Sequence, residues 1–418
     1  MLKSELLEII DNGENSGVEF KRDDLRPEQV AKEIVALANF QGGRLLLGVE
    51  DDGTISGISR EDLETWIMDT VFNRYVHPLI IPFYEEIKID EKRRVAVISF
   101  PQGTEKPYVL RNKGREEIYI RLGSTSRLAT REQQARLFQS GGMVHTELPP
   151  LYDTDLDCLD LARLKDYLVN IIGDEGEPEN RRAWEKRLAG LGFMKIADHG
   201  EALCTIAGIL LFARNPRKYV RFSGLRWMSF AGTDMSYQAQ DDTFINAPLV
   251  ALGKGKPGDG RYIEDRGLIE IAIDRMGPFI SEESDTLKDL VRREREYRYP
   301  TGAIREAILN GMAHRDWTKS LEVEAVNYHD RIEIMSPGAL QNSMTLEAML
   351  AGQRSVRNPV IREVLRDYGY VDARGMGVRR KIIPLTKELT GKDAQFEVTE
   401  DYVRVTIPAR VPGAGVSP

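Results

Sequence analysis

The sequence is poor in cysteine. Cys158 and Cys204 are the only two in 418 residues, so no disulfide framework is expected. Neither sits in a metal-type pair. The five histidines, at 77, 145, 199, 314 and 329, are scattered without metalloprotease spacing, which argues against a zinc site. Long apolar runs are missing as well. "TIAGILLFA" from Thr205 falls far short of a bilayer span. The opening "MLKSELLEIIDNGEN" reads as an acidic amphipathic helix, unlike a signal peptide. A cytoplasmic location and no membrane partner are expected. An excess of positive charge is lacking too: the net charge is −8, so any nucleic-acid contact must come from local basic patches.

What is present suits a globular chain with a sizeable core, at 41% hydrophobic and 30% charged residues. The length allows two to four domains. "EQVAKEIVALANFQGG" has Val30, Ile34, Leu37 and Ala38 at helical spacing, stopped by Gly42-Gly43. "RLLLGVEDDGTISGIS" reads as a buried strand, an Asp-Gly turn and a return strand. "EEIKIDEKRRVAVISFP" predicts a second hairpin and "EEIYIRLGSTS" a further strand. Residues 1–140 thus form an α+β domain. "SGGMVHTELPPLYDTD" marks a linker over 141–155. Residues 156–294 read as a helical and mixed connecting domain of no nameable chemistry, irregular over 236–265. "CTIAGILLFARNP" is a strand or a buried helix. "TGAIREAILNGMAHRDW" is a helix, "LEVEAVNYHDRIEIMSPG" a hairpin, and "DAQFEVTEDYVRVTIP" a second hairpin, all in a domain over 295–410. Residues 411–418 form a loose tail.

The stretch "ENSGVEFKRDD" carries the first polar constellation. On a strand, residues two apart share a face, so Glu19 and Lys21 point one way and Phe20 points into the core. Asp51 ends the strand "RLLLGVED". With Glu14, these carboxylates can hold Mg²⁺ or Mn²⁺, which prefer oxygen ligands. Such an ion can activate water against a phosphodiester, and Lys21 can stabilise the developing charge. A solvated strand face and an ordinary Asp-Asp-Gly turn explain the same letters.

Three pieces in order, "ENSGVEFKRD", "ALANFQGGRLLLGVEDDG" and "YIRLGSTSRLAT", resemble the AlbA-type domain of the Schlafen family over residues 13–130. That resemblance implies nucleic-acid binding. It also implies, as in some members, metal-dependent cleavage of RNA, transfer RNA in particular, through three acids that fall here on Glu14, Glu19 and Asp51. The family strand ends in two acids, so Glu50 competes with Asp51. Many relatives are DNA-binding regulators instead, often with a winged helix for which too few residues are expected after "VRVTIP".

Between residues 104 and 136 there are eight Lys and Arg against four Glu, with Tyr108 and Tyr119 interleaved. Lys106, Arg111, Lys113, Arg115, Arg121 and Arg127 are the candidate phosphate contacts, and Arg121, on the strand leading into Gly123-Ser124, is the foremost. Basic protection of a sheet edge is the other reading.

"REAILNGMAHRD" places Glu306, Asn310 and His314 one turn apart on one helix face. Ile304, Ala307, Ile308 and Met312 supply the core side. An Asn oxygen suits Mg²⁺ beneath a triphosphate, and a Glu one turn earlier suits the attacking water. A polar face beside a cleft gives the same pattern. "NYHDRIEIMSPGAL" and the Gly375-Met376-Gly377 turn follow. Together they resemble the divergent ATP-binding domain of the class that contains gyrase and the histidine kinases, over residues 295–408. The resemblance makes Glu306 the general base and Asn310 a Mg²⁺ ligand. Asp330, Gly338, Gly375 and Gly377 become nucleotide contacts. "DRIEIMSPG" departs from the adenine-reading motif of that class, and "GMGV" is a reduced glycine box.

The expected fold class is α+β: an AlbA-type domain, a mixed middle region, and a C-terminal α/β sandwich. The expected function is nucleic-acid binding with divalent-metal-dependent cleavage, controlled by ATP, in a homo-oligomer. The alternative is a non-catalytic, ATP-responsive DNA-binding regulator.

Overall fold

The computed structural model describes every residue except 102, 104, 142–144, 198, 256–257, 259, 290–291, 342–343, 354, 372–375, 400 and 411–418. Of residues 283–295 only the backbone is described. Gly375 and the tail therefore lie outside the described residues. The chain divides into two compact units: Met1–Val144 with Gln341–Ser343, and His145–Leu340 with Met344–Pro418. Both are mixed α+β.

The first unit is built on a βαβ step. Strand β1 (Val18–Lys21) leads through helix α2 (Pro27–Asn39) to β2 (Gly42–Leu47), and β1 and β2 pair in parallel. Helix α1 (Lys3–Asp11) precedes them, and a helical stretch over 63–75, α3, follows. After β3 (Val76–His77), strands β4 (Phe83–Lys88) and β5 (Arg94–Pro101) pair antiparallel and complete a sheet in the order β1-β2-β5-β4. The expected hairpin "EEIKIDEKRRVAVISFP" is this β4–β5 pair.

Alternation decides which face each strand residue covers. Phe20, Leu46, Val95 and Val97 meet Leu6 and Ile10 of α1 on one side. Leu45, Leu47, Ala96 and Ile98 meet Val30, Ile34 and Leu37 of α2 on the other. Each of these fully buried aliphatic side chains contributes at most about 1.5–3 kcal/mol. Pro27 opens α2, where its missing N–H costs nothing. Two small sheets finish the unit: β3 with β6 (Val109–Asn112) and β7 (Arg115–Glu117), and β8 (Tyr119–Leu122) with β9 (Thr125–Leu128). Helix α4 (Arg131–Ser140) closes it with a reciprocal cap between Thr130 and Gln133.

The second unit contains helix α5 over 161–171, α6 (Arg181–Gly190), β10 (Met194–Ile196), β11 (Ala202–Cys204) and α7 (Ile206–Phe212). The ambiguous "CTIAGILLFA" is thus both: a strand ends at Cys204, and Thr205 caps a helix by accepting from Gly208 N–H. Then come β12 (Leu225–Ser229), β13 (Asp241–Ile245), β14 (Leu252–Lys254), β15 (Tyr262–Asp265), α8 (Leu268–Ile280), β16 (Ser281–Asp289), β17 (Arg292–Tyr297) and α9 (Thr301–His314). The remainder is β18 (Val323–Asn327), β19 (Arg331–Pro337), α10 (Leu346–Leu350), α11 (Pro359–Asp367), α12 over 378–390, β20 (Gln395–Val398) and β21 (Tyr402–Pro408).

Six of these strands form one sheet in the order β13-β12-β18-β19-β21-β20. This corrects the expected division at 294. β12 and β13 belong to the sheet of the C-terminal strands, because β12 pairs in parallel with β18. The stretch expected to be irregular holds β13, β14 and β15. Ile304, Ala307, Ile308 and Met312 of α9 are buried against Val323, Ala325, Ile332 and Ile334, the expected core side of that helix.

Candidate functional site

Parallel β1 and β2 both end at the same edge of the first unit, and their C-terminal residues meet there. Such an edge is where ligands gather in sheets with helical crossovers. Lys21 points to the α2 side, and Phe20 N–H donates to Glu14 Oε1 at 2.9 Å. Glu14, Glu19 and Asp51 all turn toward the Lys21 ammonium. Lys21 Nζ lies 2.5 Å from Glu19 Oε1, 3.7 Å from Asp51 Oδ1 and 3.8 Å from Glu14 Oε1. It also donates to Phe20 O at 2.8 Å. Burial works against the charge on Lys21, but its hydrogen bond to Glu19 and the charges of Glu19, Glu14 and Glu33 outweigh it and raise its pKa. Burial also raises the pKa of Glu14, against the Phe20 N–H.

Glu19 is buried and has a second cation. Arg121 Nη1 lies 2.5 Å from Glu19 Oε2 and 3.3 Å from Glu33 Oε2. The other end of the guanidinium, Nη2, donates to Asn15 O at 2.8 Å and Val18 O at 3.2 Å. Glu33 Oε2 also accepts from Ser126 Oγ at 2.5 Å. Glu14, Glu19, Glu33 and Asp51 thus face three cations, Lys21, Arg121 and, beside Glu33, Lys32 at 3.6 Å.

This corrects the expected role of Arg121. Its side chain is fully buried and committed to internal acceptors, so it positions acids and does not face a phosphate. Lys106 is corrected likewise, since it is buried and its Nζ donates to Phe40 O at 2.8 Å. Arg111, Lys113, Arg115 and Arg127 are exposed; Arg111 is paired to Glu116 at 2.7 Å. Glu33 escaped the reading from sequence, yet it left a signal. It lies three residues after Val30, inside the apolar stripe of α2, where a carboxylate requires a buried partner.

Two cavities adjoin this edge. One, of about 650 Å³, is lined by Lys21, Arg22, Glu50 and Asp51 among others. The second, of about 620 Å³, is lined by Lys113, Arg115 and Tyr119 among others. Both are lined in part by Gln29 and Lys32 of α2, so they lie side by side along that helix. Lys32 Nζ stands 5.7 Å from the Tyr119 ring centre.

The acids were expected to hold Mg²⁺ or Mn²⁺. Here the Lys21 ammonium takes the point on which they converge. Among the described residues, no group of three or more Asp, Glu, His or Cys side chains is disposed around an ion position. The residues as arranged do not fit the ion.

In the second unit, α9 presents Glu306, buried, with Asn310 Nδ2 donating to its Oε1 at 3.3 Å. Lys381 of α12 donates to Glu306 Oε2 at 3.0 Å. Gly377 lies so close that a Cβ there would stand 1.7 Å from Glu306 Oε1, so a larger residue would displace the Glu306 side chain. The structure brings Glu306, Asn310 and Gly377 together and adds Lys381, which no sequence pattern marked. Gly338 follows Ser336, whose hydroxyl donates to Gly311 O beside Asn310. Asp330 is a correction. It precedes β19 while Gly338 follows it, roughly 26 Å apart at about 3.3 Å per residue. Its carboxylate is taken by Arg331 at 2.9 Å, so one nucleotide pocket cannot use both.

No helix among the described residues is long and apolar enough to cross a membrane. No curated protein gives a significant match. Among solved structures, the DIP2311 protein from Corynebacterium diphtheriae is 20% identical with a TM-score of 0.44, covering 94% of this chain and 76% of its own. The N-terminal domain of a RecG-related protein from Nitrosomonas europaea is 22% identical with a TM-score of 0.24, covering 30% of this chain and 92% of its own. Residues 322–407 match the family described as "Putative ATP-dependent DNA helicase recG C-terminal"; this range begins after α9, so Glu306 and Asn310 precede it. The N-terminal resemblance is met in the family models as well: residues 14–130, which hold the whole acid and lysine cluster, match the Schlafen AlbA_2 family.

Proposed function

We propose that the chain is a nucleic-acid-binding protein whose first unit tracks a single strand along the α2 groove and whose second unit binds ATP. The observation that carries the first half is the pair of cavities along α2. Arg22, Lys32, Lys113 and Arg115 line them with Tyr119 and Lys21, among the carboxylates of Glu28, Glu33, Glu50, Asp51, Asp52 and Glu117. Cations at intervals follow a phosphate backbone, and an aromatic ring offers a stacking surface. The match to the Schlafen AlbA_2 family supports the same reading. A salt titration with single-stranded DNA and RNA tests it. K113A/R115A should weaken binding alike for all sequences and reduce the slope of log affinity against log salt by about 1.4. An unchanged slope would put the binding surface elsewhere.

ATP binding is supported by the helicase-type family match and by the packing of Gly377 against Glu306, which Asn310 hydrogen-bonds. Calorimetry with a non-hydrolysable ATP analogue and Mg²⁺ should show binding to the wild type and none to N310A. Equal affinities would remove α9 from the nucleotide site.

Metal-dependent cleavage is the second reading. It is favoured by the convergence of Glu14, Glu19 and Asp51 on one point, and it requires Lys21 to leave that point. Incubation of labelled RNA and single-stranded DNA with Mg²⁺ or Mn²⁺ should then give products with the wild type and none with E19Q. Cleavage by both at one rate would exclude these acids.

A further inference from the structure

The first unit has another cavity, of about 690 Å³, at the opposite end of the sheet from Lys21. It opens where α1 leaves the sheet uncovered. Strand register puts Val18, Arg44, Ser99 and Phe83 in one row across all four strands, β1 to β4. Side chains in such a row share a face. Arg44 is exposed, and nothing pairs its guanidinium among the described residues. Phe83 is 63% exposed, an aromatic ring presented to solvent beside a free cation. The row sets them two strands apart, about 10 Å between backbones.

The third wall is the loop over residues 15–17. That loop lies tight on the sheet because position 43 is glycine, where a Cβ would stand 2.6 Å from Gly17 O. It is pinned from behind by Arg121, which donates to Asn15 O. The same loop runs from Glu14 to β1, so the cavity and the acid cluster sit on two sides of one strand. The nearest carboxylate of that face on β4, Glu85, is neutralised by the N-terminal ammonium at 2.5 Å.

We propose that this cavity is a nucleotide subsite, in which one base of a bound single strand stacks on Phe83 while its phosphate pairs with Arg44. An aromatic face accepts any base, and a guanidinium accepts phosphate through paired N–H groups. Backbones about 10 Å apart leave the two side chains room to hold one base and its own phosphate. Ser99, half-buried between them, offers a hydroxyl to the sugar. The site would hold the strand on the far side of β1 from the groove, so the strand passes the acid cluster. The inference rests on nucleic-acid binding by the first unit.

The test uses the full chain and single-stranded oligonucleotides in a fluorescence anisotropy salt titration, with F83A, R44A and K113A/R115A side by side. F83A should bind about tenfold more weakly with an unchanged salt slope, whereas F83W should restore affinity. R44A should lower the slope by about 0.7. An oligonucleotide carrying 5-iodouracil should cross-link to Phe83 on irradiation. If K113A/R115A weakens binding but F83A and R44A match the wild type, the subsite is overturned and the groove survives. If F83A and R44A weaken binding and K113A/R115A does not, the subsite stands and the groove falls. Absence of binding by the wild type overturns both. A change in oligomeric mass of F83A, with unaltered nucleic-acid affinity, makes the patch a protein interface and also overturns the proposal.

Discussion

The two units treat buried carboxylates in different ways. In the first unit Glu19 lies between two cations, Lys21 and Arg121, each at 2.5 Å. In the second, Glu306 has one, Lys381, at 3.0 Å. Glu147, also in the second unit and fully buried, has none among the described residues; it accepts the Val360 and Ile361 N–H groups at the start of α11, at 2.7 and 2.9 Å. Those two acids of the second unit are used singly, as a local pair and as a helix cap, although Asp160 there also lies between two cations, Arg163 and Arg214. The first unit gathers four acids around three cations at a surface edge, with the Asp51 side chain 84% exposed. Isolated buried pairs hold a fold together. A shared, unevenly balanced cluster that reaches solvent is where an incoming charge can change the arrangement.

Removing Arg121 breaks the comparison most severely. R121A leaves Glu19 with one cation and Glu33 with the Ser126 hydroxyl and the more distant Lys32, and it frees the loop at Asn15. The expected loss is about 3–5 kcal/mol of stability, because a buried charge loses its partner. Urea unfolding followed by circular dichroism measures it, and a loss under 1 kcal/mol would mean that the cluster rearranges freely.

Glu147 gives the next effect, and it depends on pH. Burial pushes its pKa up to about 7, against the two backbone N–H groups. The folded protein then holds this proton more tightly than the unfolded chain. Between about pH 4.5 and 7 the folded state binds more protons, so stability falls as pH rises through that window and levels off above it. The contribution is on the order of 3 kcal/mol. Urea midpoints at pH 5 and pH 8 should differ more in the wild type than in E147Q. Parallel behaviour would show that the helix N–H groups hold the carboxylate ionised throughout.

K381A should have the smallest effect, about 1–2 kcal/mol. Its side chain is 39% exposed, so water can partly replace it at Glu306. Thermal melting of K381A beside R121A sharpens the contrast: equal losses would show that sharing cations among several acids adds nothing to the first unit.

Much of this was legible in advance. Strand alternation put Glu19 and Lys21 on one side and Phe20 in the core, and the 3.6-residue period put Ile304, Ala307, Ile308 and Met312 inward. Both are local properties, set by backbone geometry and apolar patterning. Arg121 and Lys106 misled because sequence shows charge and not burial; each looks like any surface cation until a distant carboxylate or carbonyl is known to face it. Asp330 misled because its motif neighbours in sequence stand at opposite ends of one strand.

The sequence by itself determined the periodic elements, the apolar faces and the two motif-bearing segments, since these depend on neighbours a few residues away. Only the tertiary structure decided that Lys21 stands among three acids, that Arg121 reaches Glu33 from 88 residues away, that β12 joins the C-terminal sheet, and that Arg44 and Phe83 share a row. The physical reason is distance along the chain. Charges and strands choose partners through space, by desolvation and register, and no local spacing encodes which of many distant acids or strands will be the one met.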